Sequence, residues 1–261
     1  MTKQSGYFKG LWENRYILFS FVGRDLRSKY RRSLLGVLWS IITPLALSVI
    51  IGSVYAILFH RDVKIWIPML FAGLNPWTFI RSSAESSTNA FIQAEGYLKQ
   101  LRVHPQVFPL RKVCVDFINL LYSIMAFYVV YLVLQPQNFG PEMLMIVPGL
   151  LIIFVFSWGL AQIAAVANLF VRDYQPFQTL VMQAFFYLTP IIYQPSQLGE
   201  RFALVYRLNP FYYILDVVKQ PLLGGIPSAD TYLVAVGITL VVFALGVVLV
   251  NAARWKIAFK L

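Results

Sequence analysis

Between Arg24 and Arg32 five basic side chains, Arg24, Arg27, Lys29, Arg31 and Arg32, stand against a single acid, Asp25. Such a cluster can hold anionic headgroups and orient a membrane crossing. Immediately after it the charge stops, because Ser33 to His60 contains no Asp, Glu, Lys or Arg. The other residues able to do chemistry are scattered. The acids Glu85, Asp116, Asp173 and Asp216 lie far apart, as do the histidines His60 and His104, and Cys114 is the single cysteine. No metal-ligand spacing is present, no internal disulfide can form, and no G-x-x-x-x-G-K-[ST] loop exists to cradle nucleotide phosphates. Catalysis by paired carboxylates on a metal and diphosphate is therefore disfavoured.

The elements that must position these groups are apolar. The 261 residues are 59% hydrophobic and 13% charged, against about 25% charged in an average soluble domain. A helix needs roughly 20 apolar residues to cross the hydrocarbon core. On that measure we expect an all-α integral membrane protein with crossings near residues 34–58, 65–91, 113–134, 143–167, 176–193 and 232–250. The net charge of +11 sits at the ends of the apolar runs, so it reads as orientation and lipid contact rather than nucleic-acid binding. Sixteen of the 22 Lys and Arg fall in the intervals assigned inside and five in those assigned outside. Both termini are then cytoplasmic.

The first thirty residues are charged and aromatic, unlike the short basic tip of a signal peptide. Phe8, Leu11, Trp12, Phe19, Val22 and Leu26 fall near helical spacing with Lys9, Arg15, Arg24 and Arg27 between them. They predict a helix lying on the membrane surface, or a cap on a partner protein. Arg81 and Glu85 are spaced i, i+4 and can pair on one helix face. They face a bundle interior or wet cavity, or they snorkel to the inner headgroups. The interval 94–112 is polar and basic with a short amphipathic stretch around Tyr97, Leu98, Leu101 and Val103. The interval 194–231 is too long for a turn and too apolar for a soluble domain. Its two apolar halves, parted by Asn209-Pro210, predict two short re-entrant helices. The whole chain reads as one domain: an interfacial segment at 1–32, a membrane domain at 33–251 and a cytoplasmic tail at 252–261. Gly149, Gly159, Gly237 and Gly246 permit close helix packing without a clear GxxxG pair.

Three stretches carry a resemblance: RDLRSKYRRSLLGVLWSIITP at 24–44, VRDYQPFQTLVMQAFFYLTPIIYQP at 171–195 and LNPFYYILDVVKQPLLGG at 208–225. Together with the six-crossing plan they resemble the membrane subunits of polysaccharide-exporting ABC transporters, which include O-antigen, capsule and teichoic-acid exporters. The match is poorer at 94–112. The resemblance implies a homodimer in the bacterial inner membrane with two copies of a separate ATP-binding subunit. ATP and Mg would sit on that partner, with no cofactor or metal on this chain. The implied cargo is a glycan on a lipid carrier, typically undecaprenyl diphosphate.

Such a cargo assigns tasks to particular residues. Arg24, Arg27, Lys29, Arg31 and Arg32 could attract the diphosphate as well as orient the chain. Sugars present hydroxyls and apolar C–H faces, which aromatic side chains with polar tips match. Phe185, Phe186, Tyr187, Tyr193, Tyr206, Phe211, Tyr212 and Tyr213 are the candidates for a glycan path, with an interfacial aromatic belt as the alternative. Glu95, Tyr97, Leu98, Lys99, Leu101 and Arg102 are the candidates for contact with the ATPase. A secondary transporter or channel is the competing class. It would want buried ion pairs and repeated halves, and only Arg81, Glu85 and Asp116 are available.

Overall fold

The computed structural model describes residues 7–31, 33–60, 62–100, 103–193 and 200–260. Among these residues the fold is helical, with no strand. The helices are α1 (Tyr7–Glu13), α2 (Arg15–Tyr30), α3 (Trp39–Leu58), α4 (Val63–Ser87), α5 (Glu95–Gln100), α6 (Val107–Leu134), α7 (Ile146–Phe170), α8 (Tyr174–Leu188), α9 (Glu200–Arg207), α10 (Pro210–Leu222) and α11 (Ala229–Lys260).

Four segments are long and apolar enough to cross a membrane: Gly36–Leu58, Val107–Leu134, Pro141–Phe170 and Ala229–Ile257. They correspond to the first, third, fourth and last expected crossings. The other two expectations fall on α4 and α8, which do not meet that measure. α4 carries Asn75, Arg81 and Glu85 among many serines, and α8 has only 15 residues. Several boundaries differ from expectation: α4 ends at Ser87 rather than 91 and α8 at Leu188 rather than 193, and α6 and α11 differ most. α6 begins at Val107, so Arg111 and Lys112 are already helical. α11 continues to Lys260, so the expected tail is the end of a helix.

Local sequence sets the helix ends. Asp62 Oδ1 accepts from the Lys64 amide at 2.9 Å and caps α4, satisfying one of the amides a helix start leaves open. Asn209 does the same for α10 through Phe211, and Pro210 occupies the first turn, where its missing N–H is no loss. Gly224 ends that helix in the left-handed region at φ +78°, where a side chain would be strained.

α4 is the hub. It packs on α3, α6, α7, α8 and α10, and most of its side chains from Trp66 to Ser87 are buried. The main core joins Phe71, Trp77 and Ile80 of α4 to Phe127 and Tyr131 of α6, Phe156 of α7 and Phe211 and Ile214 of α10. α7 and α11 meet most extensively. There Gly159 lies directly against the backbone of Val242 and Phe243, and Gly246 against the Gly159 carbonyl. Close approach of small residues is what drives helix association in lipid. Gly237, by contrast, faces open space.

The two ends of the bundle are distinct. At the basic end a second cluster joins Phe21 of α2, Phe91, Val107, Phe108, Ala165, Leu169, Val250 and Ile257. The opposite end gathers Trp66, Met69 and Leu70 with Tyr55, Ile192 and Leu223. The N-terminal segment divides its apolar residues between two surfaces rather than presenting one face. Tyr7, Gly10, Phe21 and Val22 are buried against the bundle, whereas Phe8, Trp12, Tyr16 and Phe19 are exposed.

Candidate functional site

At the basic end, α2 is tied to the 95–112 interval by its own charges. Arg24 Nη1 donates to the Tyr97 hydroxyl at 2.8 Å, and its guanidinium lies over the Phe21 ring at 5.0 Å. Asp25 pairs with Arg111 at 2.5 Å, and Arg111 also lies over Phe21, at 5.3 Å. Tyr97 packs edge-on against Phe21, with centroids 5.0 Å apart. The bond from Arg24 to Tyr97 raises the guanidinium's pKa further, so Arg24 stays charged. Arg24, which reads as an orientation signal, and Asp25, the single acid among the basic residues, therefore link three elements.

The remaining members of the cluster differ in setting. Arg27 donates within its own helix to Gly23 O at 3.1 Å and is otherwise exposed, as is Arg31. Lys29 lines a cavity of about 410 Å³ between α3, α4 and α6, shared with Ser40, Ser82, Asp116 and Asn119. Arg32 lies outside the described residues. On α5, Lys99 and Glu95 form an exposed i, i+4 pair at 2.6 Å, and Leu98 packs on the basic-end cluster. Leu101 and Arg102 also lie outside the described residues.

The loop after them is buried. His104 sits against Gly10 of α1, where no side chain could fit on the glycine. Burial, with Arg254 adding like charge, pushes the His104 pKa below its ordinary 6.5. Tyr7 of α1 donates to Gln162 of α7 at 3.0 Å, and burial pushes its phenol pKa up. α1 is thus docked at both points.

A polar groove runs between α4 and α8. It encloses about 580 Å³ and is lined by Trp77, Thr78, Arg81, Glu85, Gln183 and Phe186 together with Leu74, Ser82 and Ser86. Arg81 Nε meets Glu85 Oε1 at 2.9 Å, and Nη1 donates to Gln183 Oε1 at 3.3 Å. Asn89 Nδ2 donates to Gln175 Oε1 at 2.8 Å. A second hollow of about 470 Å³, lined by Gln175, Thr179 and Gln183, extends the groove along α8. The Arg81–Glu85 pairing expected from the i, i+4 spacing is present. The partner Gln183 was not anticipated. Its signal was legible: Gln175, Thr179 and Gln183 recur every four residues, placing a polar stripe on one face of an otherwise apolar helix.

The structure divides the eight aromatic candidates. Phe211 is core, 6% exposed, with centroids 4.8 Å from Phe185, 5.4 Å from Trp77 and 5.7 Å from Phe156. Phe186 packs on Trp77 at 6.0 Å and borders the groove. Tyr187 is exposed, and Tyr193 donates its hydroxyl to the Tyr187 carbonyl at 3.1 Å. Tyr206, Tyr212 and Tyr213 form a half-buried chain with centroids 5.2 and 5.1 Å apart. No group of three metal-ligating side chains occurs among the described residues.

Comparison with known proteins places this geometry. The chain is 26% identical over 246 residues to the O-antigen export system permease protein RfbA of Klebsiella pneumoniae, covering 93% of each chain. A protein of the same name from Myxococcus xanthus is 26% identical over 208 residues, covering 78% of this chain and 79% of that one. The family profile described as ABC-2 type transporter matches residues 17–223. A profile match over that span, on a helical bundle with four apolar helices of membrane-crossing length, means that the chain belongs to the ABC-2 type transporter family.

Proposed function

We propose that this chain is the membrane subunit of an ATP-driven exporter that moves a lipid-linked polysaccharide across the bacterial inner membrane, with an O-antigen-type glycan as cargo. The observation that carries the reading is the near end-to-end similarity to proteins named as O-antigen export permeases. A capsule or teichoic-acid glycan is the alternative cargo. The α4–α8 groove supports a polar cargo, since a partly exposed ion pair at membrane depth would not face lipid.

In this reading six segments cross the membrane. α4 and α8 cross where protein and the groove, rather than lipid, surround their polar faces. Both termini are cytoplasmic, and α9 and α10 form the short re-entrant pair at the outer end. Two copies of the chain assemble with two copies of an ATP-binding subunit, which holds ATP and Mg. Glu95, Tyr97, Leu98, Lys99, Leu101 and Arg102 meet that subunit, and Arg24 and Asp25 transmit its movement into α2. Arg27, Lys29 and Arg31, with Arg32 beside them, attract the carrier's diphosphate. Tyr187, Tyr193, Tyr206, Tyr212 and Tyr213 offer rings and hydroxyls to the emerging glycan.

The test is purification from the native membrane in mild detergent, with co-purifying chains identified and ATP hydrolysis measured. Vanadate-sensitive hydrolysis by a stoichiometric partner is expected. An intact preparation with neither partner nor hydrolysis would favour a secondary transporter or channel. Topology is tested separately: a cysteine at Gln137 should be labelled from outside intact cells and one at Lys99 should not.

A further inference from the structure

The end of α8 is held open by polar side chains of α10. α8 stops at Leu188, and residues 189–192 cross α4 at Gly73, whose added Cβ would lie 3.2 Å from the Ile191 carbonyl. Asn209 Nδ2 donates to Thr189 Oγ1 at 2.8 Å, and Lys219 Nζ donates to the Pro190 carbonyl at 3.0 Å. Gln220 Nε2 donates to Asp216 Oδ2 at 2.5 Å. Thr189, Pro190, Asp216, Lys219 and Gln220 wall a cavity of about 190 Å³, with Met69, Leu215 and Leu223 as its apolar side and Tyr212 at its edge.

Among the described residues, much of the hydrogen-bonding capacity of this wall is unused. Lys219 has three donors, and one goes to Pro190. Asp216 accepts one bond of the several a carboxylate can take. Gln220 Oε1 and the Tyr212 hydroxyl have no bond among the described residues. The cavity therefore offers an ammonium, a carboxylate, an amide carbonyl and a phenol around one small volume.

That combination selects its ligand. An anion would meet Asp216, and a cation would meet Lys219. A neutral hydroxyl both donates and accepts, so a polyhydroxylated ring satisfies both ends at once. The apolar side matches the C–H face of such a ring, as an aromatic or aliphatic wall does. A volume of about 190 Å³ suits a single ring rather than a chain.

We infer that the cavity between the end of α8 and the Asp216–Gln220 turn of α10 is a carbohydrate subsite for one neutral pyranose ring. Its identification as a station on an export path rests on the proposed function above. The ligand chemistry does not.

The experiment is saturation-transfer difference NMR on the full-length protein in nanodiscs. The probes are methyl glucopyranoside, methyl mannopyranoside, methyl galactopyranoside and N-acetylglucosamine, with galacturonate and glucosamine as charged comparators. At least one neutral ring should receive saturation, and more than either charged sugar. The signal should fall at least fivefold in Asp216→Asn and Lys219→Met and persist in Gly237→Ala. If those two variants are not monodisperse, Tyr212→Ala and Gln220→Ala carry the same expectation. Absence of transfer to every neutral probe, or transfer unchanged by the substitutions, overturns the subsite. Glycan export is scored separately in cells. Export without sugar binding overturns the subsite alone. Sugar binding by a protein whose deletion leaves export unchanged overturns the exporter reading alone.

Discussion

α4 and α11 both run the length of the bundle, yet they handle polarity in opposite ways. From Tyr232 to Val250 α11 carries no charge, and it exposes Leu233, Leu240, Val241 and Val248. α4 carries an arginine, a glutamate and a run of serines, and nearly every residue it has is covered by other helices or faces the α8 groove. Hydropathy thus follows how much of a helix faces outward rather than its depth in the bundle. A helix surrounded by protein can hold polar groups, provided each finds a partner or water.

The sharpest way to break this contrast is to exchange the treatment of the two helices. Leu240→Arg places a charge on an exposed apolar side of α11, at a cost of about 2.5–3.5 kcal/mol for insertion. The alkali-resistant membrane fraction should fall by more than tenfold. Arg81→Gln with Glu85→Gln should leave that fraction unchanged while reducing glycan export. Equal loss of insertion in both would remove the distinction.

Next in size is the α7–α11 contact. Gly159→Val must push apart backbones already in contact, and overpacking of this kind costs about 1–3 kcal/mol. A lowered melting temperature in detergent is expected. Gly237→Ala, which meets nothing, should change stability by no more than about 0.5 kcal/mol. If both melt alike, the glycine contact is not what holds the pair.

The basic end should respond less. Asp25→Asn removes a charged partner from Arg111, worth about 1–2 kcal/mol. Protease should then cut α2 faster while total helix content stays constant. Unchanged cutting would deny the proposed link from α2 to α6. The smallest effect is a pH dependence at His104. Its pKa is lowered in the folded chain, so the undocked state binds more protons as pH falls through 6.5. Docking of α1 is complete above that pH and weakens below it. The protection factors of the α1 amides, corrected for the intrinsic pH dependence of exchange, should fall between pH 7.5 and 5.5 in the native chain and lose that fall in His104→Gln.

Much of this was readable from residue order. The uncharged runs located four helices, and Asn209-Pro210 located the start of α10 because that pair caps a helix only one way round. The i, i+4 rule paired Arg81 with Glu85. The limit came where partners are distant in sequence. Nothing near Arg24 names Tyr97, and nothing near Arg111 names Asp25, because a guanidinium accepts any oxygen or ring that folding brings to it. Lys219 is among the five basic residues counted in the intervals assigned outside, but it turns inward because α8 ends beside it and leaves the Pro190 carbonyl without a helical donor.

The sequence by itself determined the all-helical membrane character of the chain, the apolar helices long enough to cross a bilayer, and the helix ends set by caps and prolines. These depend on transfer energy and neighbouring backbone, which are local. Only the tertiary structure decided that Phe211 is core rather than surface, that α4 and α8 share a polar groove, and that Arg24 and Asp25 hold α2 to the basic end. Each of those depends on which surfaces meet, and packing between distant segments is written in no single stretch.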